Sequence, residues 1–182
     1  METVRRRKLR AYFNSLDVRG KGMLSSDSFG DAARDLAVSL DIPPEHPGAV
    51  ETRLVSESLW VNLVAPMASY TGGEAEFEEF VQGMEQLMLK DPRDYKQIFA
   101  PVVESWFELG DRDRDGLLSQ DEYLMMLVGG HHVPVDECQS MFEYLDSDAD
   151  GYVTMLELQG GVFNFFYSTS AEHPANRMFG AF

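Results

Sequence analysis

The chain has 182 residues, 44% of them hydrophobic, and sets 31 acidic against 15 basic side chains for a formal charge of −16. That length is enough to bury a core in one domain or in two small halves. The acidic excess argues against nucleic acid and anionic membrane surfaces as partners and suits cations or basic ones.

In chain order, the N-terminus reads Met-Glu-Thr-Val-Arg-Arg-Arg-Lys, with no apolar run behind it. No secretory signal is expected there, and Glu2 excludes N-myristoylation. Arg5–Arg7 with Lys8 read as the solvated face of an amphipathic helix. Residues 17–28 then form a twelve-residue loop with Gly22 at its sixth position, Leu24 at its eighth, Phe13 four residues before it and Phe29 just after it. Three prolines mark a linker at Asp41–Gly48, and the long interval that follows implies an extended helix or an extra turn around Val50–Leu63. Residues 68–79 repeat the frame with Val64 before, Gly73 sixth, Ala75 eighth and Phe80 after. A second linker falls at Lys90–Arg93, around Pro92. The longest apolar stretch, Leu59–Met67, is broken by Asn62 and Pro66 and is too short to cross a bilayer.

The third and fourth copies of the frame are the informative ones. Residues 111–122 read Asp-Arg-Asp-Arg-Asp-Gly-Leu-Leu-Ser-Gln-Asp-Glu, and residues 146–157 read Asp-Ser-Asp-Ala-Asp-Gly-Tyr-Val-Thr-Met-Leu-Glu. Both match D-x-[DN]-x-[DN]-G-x5-E, the loop of an EF-hand. Their flanks repeat too: Phe107 and Phe142 before, Leu118 and Val153 at the eighth position, Tyr123 and Leu158 after. Between them Gly129–Pro134 reads as a short linker that ends a helix at Gly129-Gly130, with His131 and His132 solvated in it. Cys138, the one cysteine, rules out an intramolecular disulfide, fits a reducing compartment and reads as a buried packing residue.

The residue types at these spacings fit calcium, a hard cation that takes six to eight oxygens. In the third loop Asp111, Asp113 and Asp115 each offer a carboxylate oxygen and Leu117 a backbone carbonyl. Ser119 acts through a bridging water, and Glu122 offers two oxygens at once. In the fourth, Asp146, Asp148, Asp150, the Tyr152 carbonyl, Thr154 through water and Glu157 take the same parts. Gly116 and Gly151 supply the sharp turn. Magnesium, which demands a tighter octahedron, should bind more weakly.

The first two loops lack this set. Arg19 and Lys21 stand at positions 3 and 5 of the first, and Ser28 replaces the bidentate glutamate; two cations facing a cation site oppose binding. Ala68, Tyr70 and Gly72 remove three ligands from the second, leaving Glu79 with too few companions. Both should be silent and structural, with Leu24 pairing with Ala75 as Leu118 pairs with Val153. The expected fold is all-α: four EF-hand helix–loop–helix units in two pairs within one compact body. Residues 1–90 form a degenerate pair. Residues 91–182 form an intact pair with a packing tail, and two Ca2+ bind there.

Four features carry a resemblance to the sarcoplasmic calcium-binding protein family, with its bacterial calerythrin-like members. They are the loop spacing with its long first interval, the Trp60 helix, Glu-Phe-Glu-Glu-Phe at 76–80, and the ending Asn176-Arg-Met-Phe-Gly-Ala-Phe182. Ala175 stands where that family often has Gly. The resemblance covers nearly the whole chain. It implies a compact, monomeric, cytoplasmic calcium buffer whose tail packs back onto the body. Many members keep an active first hand; Arg19 and Lys21 remove it here. The same broad family includes coelenterazine-binding proteins and calcium-regulated photoproteins, which hold an apolar ligand between the halves. Here the aromatic residues, Trp60, Trp106, Phe163, Phe165, Phe166 and Tyr167, read as ordinary core.

A buffer or modulator is the leading function, with the apolar tail Val162–Phe182 in the groove a target would use. A sensor is the alternative, its groove lined by Met125, Met126, Met141 and Met155; no protein target is indicated. A small-ligand carrier of the coelenterazine type is the third. No enzyme is expected, since the sequence has no phosphate loop, no zinc spacing and no nucleophile elbow.

Overall fold

The computed structural model describes residues 2–65, 73–90 and 97–182. In chain order it forms α1 (Val4–Leu16), β1 (Met23–Ser25), α2 (Ser26–Ser39), α3 (Pro47–Leu59), β2 (Glu74–Glu76) and α4 (Phe77–Lys90). These are followed by α5 (Ala100–Gly110), β3 (Leu117–Ser119), α6 (Gln120–His131), α7 (Val135–Leu145), β4 (Tyr152–Thr154) and α8 (Met155–Tyr167). A π turn, Trp60–Val64, prolongs α3 and supplies the extra length expected around Val50–Leu63. Ala68, Tyr70 and Gly72 of the second loop, and residues 91–93 of the second linker, lie outside the described residues.

The fold is an EF-hand fold, and its strands exist only to join hands in pairs. β1 runs antiparallel to β2 with Leu24 opposite Ala75, and β3 to β4 with Leu118 opposite Val153. All four side chains are fully buried, so each pair is pinned at its eighth loop position by both ladder bonds and apolar contact. Phe13, Phe107 and Phe142 at the ends of the entering helices are buried, as are Phe29, Phe80, Tyr123 and Leu158 at the start of the leaving ones. These residues belong to one continuous hydrophobic cluster.

Three expectations change on contact with the tertiary structure. Lys8 is not on a solvated face: it is 1% exposed. Its ammonium donates to the carbonyl oxygens of Phe165 and, at 2.7 Å, Ser168, orphan acceptors at the C-terminal end of α8. Its neighbours are also engaged. Arg6 pairs with Glu2 and Glu78, Arg7 lies over the Phe182 ring, and Arg10 over Phe77. The basic run therefore ties α1 to α4 on one side and to α8 and the chain end on the other.

Gly129-Gly130 does not end a helix, because α6 continues to His131. The two glycines let α6 approach α2 closely. A Cβ on Gly129 would collide with the Ser39 hydroxyl, and one on Gly130 with the Trp106 ring. His131 is consequently buried rather than solvated. It stacks on Trp106 at 4.6 Å, meets Phe179 edge-on at 4.8 Å and lies 3.4 Å from the Ser15 hydroxyl through Nδ1. His132, left-handed at φ 54°, is exposed and 3.2 Å from Asp35.

The tail folds back as the resemblance implies. Asn176, fully buried, donates from Nδ2 to the carbonyls of Ser170 and Ala171. Phe179 lies 4.6 Å from Tyr12 and 4.9 Å from Phe165. Cys138 is buried as expected. No helix among the described residues is long and apolar enough to cross a membrane.

Two consequences are measurable. Replacing Gly130 with Ala should destabilise the protein by about 1–3 kcal/mol in urea unfolding, despite the better helix propensity, because the Trp106 ring must move. Burial, with the neighbouring His132 adding to it, lowers His131 to about 3. The folded chain therefore binds fewer protons than the unfolded one between that value and the ordinary 6.5. Stability should fall as pH drops from 6.5 toward 5, with His131 contributing up to about 1.4 kcal/mol per pH unit. His131→Gln should flatten that slope in parallel melts.

Candidate metal centres

Loops 17–28, 111–122 and 146–157 each begin where an entering helix stops. The amides of Asp17, Asp111 and Asp146 close the last turns on Phe13, Phe107 and Phe142. The first-position aspartate then folds the loop over itself. Asp111 accepts from the amides of Asp115 at 3.2 Å and Gly116 at 2.9 Å; Asp146 accepts from those of Asp150 and Gly151, both at 3.0 Å. Positions 4 and 6 take left-handed backbone to make the turn: Arg114 and Gly116 at φ 60° and 85°, Ala149 and Gly151 at 58° and 90°. The third- and fifth-position aspartates accept from amides two residues on: Asp113 from Asp115, Asp115 from Leu117, Asp148 from Asp150, and Asp150 from Tyr152. These bonds turn the carboxylates inward.

The last residue of each loop is also the third residue of the leaving helix. Glu122 accepts from the Ser119 amide (2.9 Å) and hydroxyl (2.6 Å) through Oε2, and from the Arg112 amide (2.9 Å) through Oε1. Glu157 accepts from the Thr154 amide and hydroxyl, and from the Ser147 amide and hydroxyl, all at 2.8–2.9 Å. Ser119 and Thr154 accept in return from the amides of Glu122 and Glu157, which makes two reciprocal capping boxes. The capping role of Ser119 and Thr154 is the functional feature missed in the sequence, although Ser-x-x-Glu and Thr-x-x-Glu before an apolar run spell it out.

Burial by itself would raise both glutamates. The hydrogen bonds outweigh it: Glu122 falls below the usual carboxylate range, and Glu157 falls to about 2. Both are ionised at neutral pH, and an ionised carboxylate has roughly four lone-pair sites, enough to keep these bonds and still face a cation.

Three of the four expected carboxylates converge in each loop, with Glu122 and Asp150 outside these groups. Oxygens of Asp111, Asp113 and Asp115 lie within 4.8 Å of one another, as do those of Asp146, Asp148 and Glu157. An all-oxygen, multiply anionic donor set of this size fits a hard divalent cation.

The first loop has the same backbone without the ligands. Asp17 accepts from the amides of Lys21 (2.9 Å) and Gly22 (2.6 Å), and Gly20 and Gly22 are left-handed at φ 63° and 73°. Ser28 takes the place of the glutamate in the capping box, accepting from the Ser25 amide at 3.1 Å. Arg19 turns out of the loop to Asp31 on α2, 3.5 Å away. In the second loop Glu79 accepts from the Glu76 amide at 3.0 Å. Position 12 thus caps the leaving helix in all four hands, whether or not it has metal ligands for company.

Comparison with known proteins agrees with this geometry. The model of the EF-hand domain pair matches residues 102–162. The chain is a calcium-binding EF-hand protein. Its relatives include clytin of Clytia gregaria, 25% identical over 86% of this chain and 79% of clytin. Calerythrin of Saccharopolyspora erythraea is 22% identical over 88% and 90%. A sarcoplasmic calcium-binding protein of Perinereis vancaurica tetradentata is 26% identical over 64% and 63%. The resemblance stated from the sequence therefore holds for this EF-hand protein. The fold is shared with a Streptomyces coelicolor calcium-binding protein described in connection with calcium-mediated regulation. Its TM-score is 0.76 and its identity 24%, over 89% of this chain and 97% of that one.

Calorimetric titration of metal-stripped protein should show Glu122→Gln and Glu157→Gln each losing about one bound calcium, and Glu79→Gln losing none. Because the first loop keeps the backbone, the triple change Arg19→Asp, Lys21→Asp, Ser28→Glu should add one site to the count.

Proposed function

We propose that this EF-hand protein is an intracellular calcium buffer or modulator. In this reading it acts as a monomer and takes up two Ca2+ in residues 91–182, while residues 1–90 serve as a silent, structural pair. Asp111, Asp113, Asp115, the Leu117 carbonyl and bidentate Glu122 hold one ion, with Ser119 reaching it through water. Asp146, Asp148, Asp150, the Tyr152 carbonyl and Glu157 hold the other, with Thr154 through water.

One observation carries the choice of buffer over sensor: the surface a target helix would need is filled from within. Phe179 sits on Tyr12, His131 and Phe165, and Phe182 lies under Arg7. Met126 and Met141 are buried, Met155 is partly buried against the core, and of the four methionines a sensor would use only Met125 is exposed. Adding calcium to metal-free protein should leave the fluorescence of an apolar dye nearly unchanged. A large gain, reporting an opened groove, would return the sensor reading. Chelating calcium from a hundredfold excess over the dissociation constant should lower stability by roughly 2.7 kcal/mol per site.

A second reading, an apolar small-molecule carrier, draws support from an internal cavity. It holds about 70 Å³ and is lined by residues such as Tyr12, Trp106, Tyr123, His131 and Phe179. The fully buried Tyr123 hydroxyl there has no hydrogen-bond partner. Ligand pockets usually run from roughly 300 Å³ upward, so a multi-ring ligand would have to expand this one. A coloured or fluorescent compound copurifying with the protein would favour this reading.

A further inference from the structure

The two calcium loops differ at positions 2 and 4. Loop 111–122 has Arg112 and Arg114 there; loop 146–157 has Ser147 and Ala149. Both arginines are part of the ring of chain that surrounds the ion, so their charge stays close to it in any rotamer. Among the described residues neither forms an ion pair. Arg112 Nη1 reaches only the Met125 sulfur, at 3.8 Å, and Arg114 borders a polar cleft shared with His46, Glu51, Glu108 and Asp111. Asp121 offsets one of the two charges. Loop 111–122 still has five acids opposed by two arginines, against four acids and no base in loop 146–157.

The position-2 exchange has a second effect. The Ser147 hydroxyl adds a hydrogen bond to Glu157 at 2.8 Å, and Glu157 is gathered within 4.8 Å of Asp146 and Asp148. Arg112 offers Glu122 only its backbone amide; the carboxylates gathered in that loop are the three aspartates without the glutamate, whereas in loop 146–157 Asp150 is the one left out. Glu157 is therefore held to the start of its loop by one more hydrogen bond than Glu122.

We propose, resting on the calcium reading above, that Arg112 and Arg114 make loop 111–122 the weaker and later-filling of the two sites. Loop 146–157 loads first. Its helices hold the tail: α8 leads into it, and α7 meets it through Glu137 and Arg177, 3.7 Å apart. Loop 111–122 responds at higher calcium, and its helices face the silent half. α5 meets α3 through Trp106 Nε1 donating to the Ser56 hydroxyl (2.9 Å) and the Thr52 hydroxyl donating to the Ser105 carbonyl (3.1 Å). α6 meets α2 at Gly129-Gly130.

The test is calorimetry on metal-stripped Glu122→Gln, which reports loop 146–157, and Glu157→Gln, which reports loop 111–122. The arginines are then changed to Gln in the Glu157→Gln background. Loop 146–157 should bind roughly three- to tenfold more tightly, from two like charges about 10 Å from a divalent ion in a screened, high-dielectric setting. Arg112→Gln with Arg114→Gln should recover a comparable factor at loop 111–122, and the gain should shrink in high salt. In the unsubstituted chain, the Gly151 amide resonance should move ahead of that of Gly116, with loop 146–157 holding about two-thirds to three-quarters of the first equivalent of calcium at that affinity ratio. Equal or reversed affinities, simultaneous movement of the two glycines, or arginine variants with unchanged affinity would each overturn the proposal while leaving the calcium reading intact. Failure of both single-site variants to bind any ion would overturn the calcium reading and the proposal together.

Discussion

The structure depends on one contact made four times: the side chain at the last position of each loop folds back to the backbone amide three residues earlier. In the two intact hands that side chain is Glu122 or Glu157, and the amide belongs to Ser119 or Thr154. The contact caps a helix, which by itself is worth only about 1 kcal/mol. Its importance lies in what it joins. One carboxylate terminates the leaving helix, accepts from the start of the loop at Arg112 or Ser147 and, in the calcium reading, would be the bidentate ligand. An ion that pulled on it would pull on the helix axis. In the first hand Ser28 makes the same contact with a short, neutral side chain. The helix is capped and the hand keeps its shape, but Ser28 brings no carboxylate to that position.

The second constraint is how the N-terminal half is held to the C-terminal half. It is held by specific contacts rather than by general apolar burial. The Lys8 ammonium sits at the C-terminal end of α8, where carbonyl oxygens lack helical partners. Two adjacent glycines bring α6 against α2 and place Trp106 flat on His131. Two buried hydroxyls, Thr52 and Ser56, join α3 to α5. An N-terminal pair of hands tied this firmly is more than a spacer, because it fixes the orientation of the helices entering and leaving loop 111–122. The loops themselves differ in electrostatics, with arginines in one and none in the other, although their ligand patterns are the same.

The sequence alone determined the local chemistry. A calcium loop is a short-range object: carboxylates at alternate positions, a glycine where the backbone must turn left-handed, and a glutamate reaching back across one helical turn. All of that lies within twelve residues, so the four hands, the missing ligand set of the first, the pairing of Leu24 with Ala75 and of Leu118 with Val153, and the long α3 were legible without coordinates. The capping boxes were equally local and could have been read as well. Only the tertiary structure decided what distant residues do to one another. Nothing near Lys8 in the chain announces that it will meet carbonyls about 160 residues away, so four charges in a row looked like a wet surface. Gly129-Gly130 looked like a helix terminator because glycine is a poor helix former in isolation. Packed against Ser39 and Trp106, the missing side chain becomes the reason the helix fits, and His131 is buried as a result. Propensity and charge act within a turn or two of chain. Burial is settled by whichever surface arrives from elsewhere, and that surface is written in no single stretch of sequence.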